Sequence, residues 1–298
     1  MNTAVAQTRG RGRGPSPRAA ARGGTARGGT ARSLGAILVV VVFAAPIVLL
    51  VSGSFRQPGL APPPTPELVP DPLTPGNYGR ALEIGGLTRA TVNSAIVSGL
   101  AVPLSVLVAS LAGFALTQAP ARVTRALIAA SFVALMVPAT ALLVPRFVLF
   151  RTLGLTDTLV PLVAPALLGT SPFYVLVFYV AFRQIPGELF DASRLEGASP
   201  WRTWRRVAMP LVRPVTFAVA ALAFIFTWSN FLDPLIYVYN RDLFTVPLAL
   251  RSLSTVDISD YPLFLAGAVI ASVPVLVVFA FAQRNFLQRY RGSGWLGR

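Results

Sequence analysis

The chain is 298 residues long, 54% hydrophobic and only 12% charged, with a formal net charge of +15. A soluble domain carries about 25% charged residues, so most of this surface faces something other than water. Cys and His are absent, and all 26 basic residues are Arg. These absences exclude a disulfide framework, a Cys/His zinc site and any His-based triad. Without Lys there is neither a Walker A loop nor a lysine Schiff base.

Residues 1–33 hold seven Arg, no acid and a tandem ARGGT repeat over 21–30. They have too few apolar side chains to offset the entropy of ordering, so the segment reads as a disordered basic tail. Its two RGG triplets lack interleaved aromatics, and no nucleic-acid partner is expected.

Six apolar runs follow, at 34–55, 91–116, 126–145, 159–182, 215–237 and 263–282. Each reaches the ~20 residues that a helix needs to cross a hydrocarbon core of ~30 Å. The first outruns the roughly 7–15 residues of a signal h-region, and no clear A-x-A site follows, so it reads as an uncleaved helix. The expectation is an all-α, polytopic membrane protein with six transmembrane helices. Its membrane domain spans 34–290, between the N-terminal tail and a C-terminal tail at 291–298.

Arg content orients it. The N-tail, 117–125, 183–214 and the C-tail from residue 283 hold 19 Arg, and the opposite connections hold 7. The positive-inside rule then puts both termini in the cytoplasm of a multi-pass cell-membrane protein. The outer connection 56–90 is rich in Pro and reads as extended. The spans contain no Arg, Glu or Asp except Asp233, near the outer end of the fifth, which argues against a proton-coupled carrier or a voltage sensor. No set of residues suits an intramembrane protease. The chain reads as non-catalytic, and any uphill transport must draw on a partner.

The connection 183–214 carries its own signals. Gly197 after Glu196 looks like a helix stop in the left-handed conformation. Ser199-Pro200 looks like an N-cap followed by Pro at N1. The loop is therefore two short helices joined by a tight turn. In the second, Trp201, Trp204 and Ala208 fall on one face and Arg202, Arg205 and Arg206 around the other, as at a membrane interface.

Asp191-Ala192-Ser193, then Gly197, Val207 and Met209-Pro210, resembles the EAA loop of ABC-importer permeases, whose pattern is Glu-Ala-Ala, x3, Gly, x9, Ile, x, Leu-Pro. Every spacing matches; Asp, Ser, Val and Met are the departures. Asn93-Ser94, Val137-Pro138, Val144-Pro145, the stretch Gly154-Leu155-Thr156-Asp157-Thr158 and Trp228-Ser229-Asn230 through Leu235 resemble the carbohydrate-uptake, maltose-permease-like branch. The resemblance covers about residues 34–290 and implies a type I ABC-importer permease fold. It further implies a heterodimer with a second permease, two cytoplasmic ATPase subunits holding the ATP and Mg²⁺, and an extracytoplasmic sugar-binding protein. No cofactor is expected on this chain. The 183–214 loop would couple the spans to an ATPase through Glu188, Asp191, Ala192, Ser193, Gly197, Val207, Met209 and Pro210, with Asp191 as the acid that pairs with a basic residue of the ATPase.

The implied function is ATP-driven import of a mono- or oligosaccharide. The alternatives are an ABC permease for another solute, such as a polyamine or phosphonate, and a gradient-driven carrier. For the pathway, Asn230, Asp233 and Tyr237 fall at i, i+3 and i+7, which places them on one face of a continuous fifth helix. They either line the sugar route or serve structure, with Asp233 reaching the outer headgroups and Asn230 bonded to a neighbouring helix.

Overall fold

The computed structural model describes residues 26–167, 171–256 and 260–290. The tail at 291–298 and residues 1–25 of the N-terminal tail lie outside these. Among the described residues the fold is all-α: α1 (Ala26–Ser54), α2 (Gly76–Glu83), α3 (Leu87–Gln118), α4 (Ala121–Met136), α5 (Leu143–Thr152), α6 (Val160–Leu167) and α7 (Pro172–Arg183) come first. They are followed by α8 (Gly187–Leu195), α9 (Pro200–Thr203), α10 (Met209–Leu211), α11 (Arg213–Trp228), α12 (Leu232–Tyr237), α13 (Val246–Val256) and α14 (Tyr261–Tyr290). Residues up to Leu49 form one compact unit and those from Leu50 a second. The packing described below lies within the second. α1 starts at Ala26, inside the stretch that composition assigned to the tail.

Four helical stretches are long and apolar enough to cross a membrane, and two sharply bent pairs raise the number to six. One of these bends and a separate break correct two of the expected spans. The third is not a straight helix over 126–145: α4 stops at Met136, and the chain turns by 87° into 139–152. Pro138 is the cause. It cannot donate into a helical ladder and pushes Val137 into the extended conformation seen at φ −74°, ψ 119°.

The fifth span is also interrupted. α11 ends at Trp228, Ser229 to Phe231 break the helix, and α12 resumes at Leu232. Pro234 has no N–H to give to the Asn230 carbonyl and its ring would clash there. The Asp233 N–H, released where the helix breaks, donates instead to the Asn230 side-chain Oδ1 at 3.2 Å, at the start of α12.

α3 is the central strut, packed on α6, α7 and α11. Its approach to α7 is close at Gly113, where a Cβ would lie 2.8 Å from the Phe178 Cβ and 2.9 Å from the Tyr179 nitrogen. A small residue here lets two helix backbones meet. Near the 183–214 loop, Phe114, Phe178, Phe182 and Val219 form one core with Phe190, Trp204 and Ala208 of the loop itself. At the other end, α2, the start of α3, Trp228, α13 and α14 share a second core. There the Trp228 indole N–H donates to the Ala271 carbonyl at 3.0 Å.

The Pro-rich connection is not simply extended. Arg56 pairs with Glu67 at 2.8 Å, the Thr74 N–H donates to the Phe55 carbonyl, and α2 is tied back through Asn77 Nδ2 to the Ser54 and Arg56 carbonyls. Arg80 of α2 reaches the buried Asp260 at 2.7 Å, and Asp260 Oδ1 accepts from the Leu263 N–H in the first turn of α14.

Candidate functional site

Two features bear on function: the helical hairpin of 183–214 and a cavity beside the break in the fifth span. In the hairpin, Gly197 sits just past α8 at φ +72°, with its N–H on the Arg194 carbonyl and the Ala198 N–H on the Ser193 carbonyl. Nothing lies within 4 Å of where its Cβ would be, so the requirement for Gly is conformational rather than steric. Ser199 caps α9, its Oγ accepting from the Arg202 N–H at 3.4 Å, with Pro200 following. The second helix is continuous from Pro200 to Leu211 through a π turn at Trp204–Ala208. It then meets α11 at 86°.

The hairpin is keyed into the spans by aromatic rings. Phe190 lies 6.0 Å from Phe114 of α3, which stands edge-on to Phe182 of α7 at 5.7 Å. Trp204 is buried against the same core, whereas Trp201, its ring tilted against Trp204 at 4.7 Å, is 53% exposed. Ser193 is buried, and its hydroxyl meets the Thr203 hydroxyl. Ala192 is exposed, and Val207, Met209 and Pro210 are half-buried along the second helix. The acids face outward: Glu188 is exposed in the first turn of α8, and Asp191 is exposed and pairs with Arg194 at 3.2 Å. Arg194 also donates to Gln118 at the end of α3.

The cavity, of about 330 Å³, is lined by residues of α3, α6, α7, α11 and α12, with Ser171 and Asn230 beside them. Phe173, Tyr174 and Phe226 supply aromatic surface; Ser105, Ser171, Thr227, Asn230 and Asp233 supply polar atoms. Flat apolar faces beside hydroxyl, amide and carboxylate groups are the components that bind a polyhydroxylated ring.

Residues 101–292 match the model of the family described as the binding-protein-dependent transport system inner membrane component. The chain belongs to this family. It is the non-catalytic membrane subunit, or permease, of an ABC importer that works with a binding protein. The permease is 30% identical over 265 residues to the arabinooligosaccharides transport system permease of Halalkalibacterium halodurans, covering 86% of this chain and 92% of that one. It is 30% identical to the lactose transport system permease of Rhizobium radiobacter, covering 67% and 73%, and 29% identical to the trehalose transport system permease of Mycobacterium tuberculosis, covering 74% and 81%. In fold it resembles a chain of a bacterial ABC transporter involved in import of the acidic polysaccharide alginate. The TM-score is 0.71 at 18% identity, covering 87% of this chain and 96% of that one.

Three residues of the motifs that point to the carbohydrate branch share one structural task. Asn93 Nδ2 donates to the Asp242 and Phe244 carbonyls, and Ser94 Oγ accepts from the Val246 N–H. Asp157, itself at φ 59°, accepts the N–H groups of Tyr239 and Asn240 on one carboxylate oxygen. All three tie down the segment between α12 and α13.

The expected pathway face divides. Asn230 and Asp233 do line the cavity. Tyr237 does not: it is 0% exposed, packed in a core with Val97, Leu162 and edge-on Phe150. Asn230 and Asp233 stay together across the break, joined by a 2.8 Å hydrogen bond, whereas Tyr237, a turn further along α12, is taken up by the packing of Val97, Phe150 and Leu162. Two hairpin residues escaped the motif. Leu195 is 90% exposed, and Phe190 is the anchor to α3. A lone large apolar residue between Arg194 and Glu196 was the available signal for Leu195.

Proposed function

We propose that this permease imports a mono- or oligosaccharide delivered by an extracytoplasmic binding protein. It does so as a heterodimer with a second permease, driven by two cytoplasmic ATPase subunits that bind ATP and Mg²⁺. In this reading residues 34–290 form the membrane domain and both termini are cytoplasmic. The cavity lining carries the reading: three aromatic rings beside Ser105, Thr227, Asn230 and Asp233, in a chain whose relatives serve arabinooligosaccharides, lactose and trehalose.

The hairpin is the ATPase seat. Leu195 offers an apolar tip, Glu188 and Asp191 offer charge, and the rings of Phe190 and Trp204 pass movement of the hairpin to α3 and α7 as a rigid body. A second reading, import of another solute, is favoured by 28% identity over 263 residues to the sn-glycerol-3-phosphate transport system permease of Rhizobium meliloti.

Reconstitution of the complete transporter in proteoliposomes tests both. Lactose, trehalose, arabinotriose, diacetylchitobiose and sn-glycerol 3-phosphate are offered with the binding protein, with and without internal ATP. ATP-dependent uptake of a sugar, insensitive to ionophores, is the expected result. Uptake of sn-glycerol 3-phosphate alone establishes the second reading. Ionophore-sensitive flux without ATP overturns both.

A further inference from the structure

Asp233 is the only acid or Arg side chain in the cavity wall among the described residues. Its carboxylate is asymmetrically used. Oδ2 accepts from Asn230 Nδ2 at 2.8 Å and from Arg146 Nη2 at 3.4 Å. Oδ1 accepts from no described residue, and it is not among the polar atoms sealed from solvent without a partner. Arg146 is not among the residues that line the cavity, and it meets Asp233 through Oδ2. Its guanidinium lies 5.8 Å from the centroid of the Tyr237 ring, and Tyr237 is held edge-on by Phe150 of the same helix, α5, that carries Arg146. The guanidinium thus has two fixed partners, the buried ring and the carboxylate.

We propose that Arg146 is a positioning and selectivity residue: it cancels the charge of Asp233, directs Oδ2 away from the solute, and leaves Oδ1 as a hydroxyl acceptor in a wall of no net charge. This deepens, and rests on, the reading of the cavity as the solute route. A lone carboxylate in a partly desolvated wall would hold cations and repel anions. A lone Arg146, with Asp233 removed, would hold uronates or sugar phosphates. The intact pair favours uncharged polyols. The pair also joins the two pieces of chain that follow the sharp breaks, α5 after the bend at Pro138 and α12 after Ser229–Phe231.

The absence of Cys allows the wall's charge to be measured without knowing the solute. Ser105→Cys, nearly isosteric, places one thiol in the cavity of the complete transporter. Its reaction rates with trimethylammonium-ethyl and sulfonato-ethyl methanethiosulfonate are read by mass on this chain and normalised to free cysteine. Arg146→Met should raise the cation-to-anion rate ratio roughly tenfold, and Asp233→Asn should lower it roughly tenfold, as one unscreened charge at ~8 Å implies. The double variant and Arg146→Lys should return to the parental ratio. An unchanged ratio in both single variants overturns the proposal, as does a shift of the same sign in both, which would signal loosening of the wall. Opposed shifts in a transporter that moves none of the sugars above sink the sugar reading and leave the charge pairing intact.

Discussion

The hydroxyls of Ser193 and Thr203 lie 2.8 Å apart, both residues buried, on opposite sides of the turn at Gly197. The polar side chain at the third position of the Asp-Ala-Ser motif therefore pins the two helices of the hairpin to each other. Replacing Ser193 with Ala leaves the Thr203 hydroxyl buried without this partner, at a cost of about 1–3 kcal/mol. Thr203→Val in addition should recover part of the loss, because both polar groups are then gone. Thermal unfolding of the purified complex checks this: the single Ala variant should melt below wild type and the double variant between them. A double variant that loses the full sum of the two single changes would show the hydroxyls to be uncoupled.

Gly197 discriminates conformation from space. At φ +72° with open surroundings, Gly197→Val should cost roughly 1–3 kcal/mol in backbone strain. Gly197→Asn should cost less, since Asn tolerates the left-handed region. The Val variant is expected to reach the membrane yet lose uptake and retain less ATPase, and the Asn variant to keep most of both. Normal uptake by Gly197→Val would remove the hairpin from the coupling role.

Leu195, at 90% exposure, adds nothing to the packing of this chain by itself. Buried in a partner groove it would contribute on the order of 1.5–3 kcal/mol. Leu195→Asp is expected to leave expression and melting of the permease pair unchanged while lowering ATPase co-purification at least tenfold. Equal recovery of the ATPase would place its seat elsewhere.

Asn93 holds two carbonyls of the segment that leads into α13. Asn93→Ala should release residues 240–246, which limited proteolysis reads as faster cleavage between α12 and α13. The stability cost is expected at about 1–3 kcal/mol. Unaltered protection of that segment would show that Ser94 and Asp157 suffice.

The Arg asymmetry predicts sidedness. Reporter fusions near residues 120 and 200 should be active on the cytoplasmic side, and those near 75 and 250 on the outer side. An external signal at 200 would refute six spans.

Much of the hairpin was legible because its signals are local. A residue at φ +72° favours Gly, and an N-cap favours Ser before Pro, whatever surrounds them. The apolar runs were equally plain, since crossing a hydrocarbon core is a matter of length and composition. Their interruptions were not. Pro138 and Pro234 sit inside apolar runs, and a Pro in a membrane helix either kinks or ends it, depending on what satisfies the freed backbone groups. Here the Asn230 side chain takes the Asp233 N–H after Ser229, and the helix ends.

Composition and run lengths fix an all-helical membrane protein, and Gly197 with Ser199-Pro200 fix a hairpin between the fourth and fifth apolar runs, because each rests on properties of neighbouring residues; its being a permease subunit rests on the resemblance of 191–210 to the EAA loop. Which polar groups meet is set by long-range packing. Tyr237 turns into a core with Phe150, Leu195 is left bare, and Arg146 reaches Asp233 from a separate helix. Such pairings depend on where α5 and α12 come to rest after their breaks. Packing of distant side chains sets those positions, and no pattern within either segment encodes them.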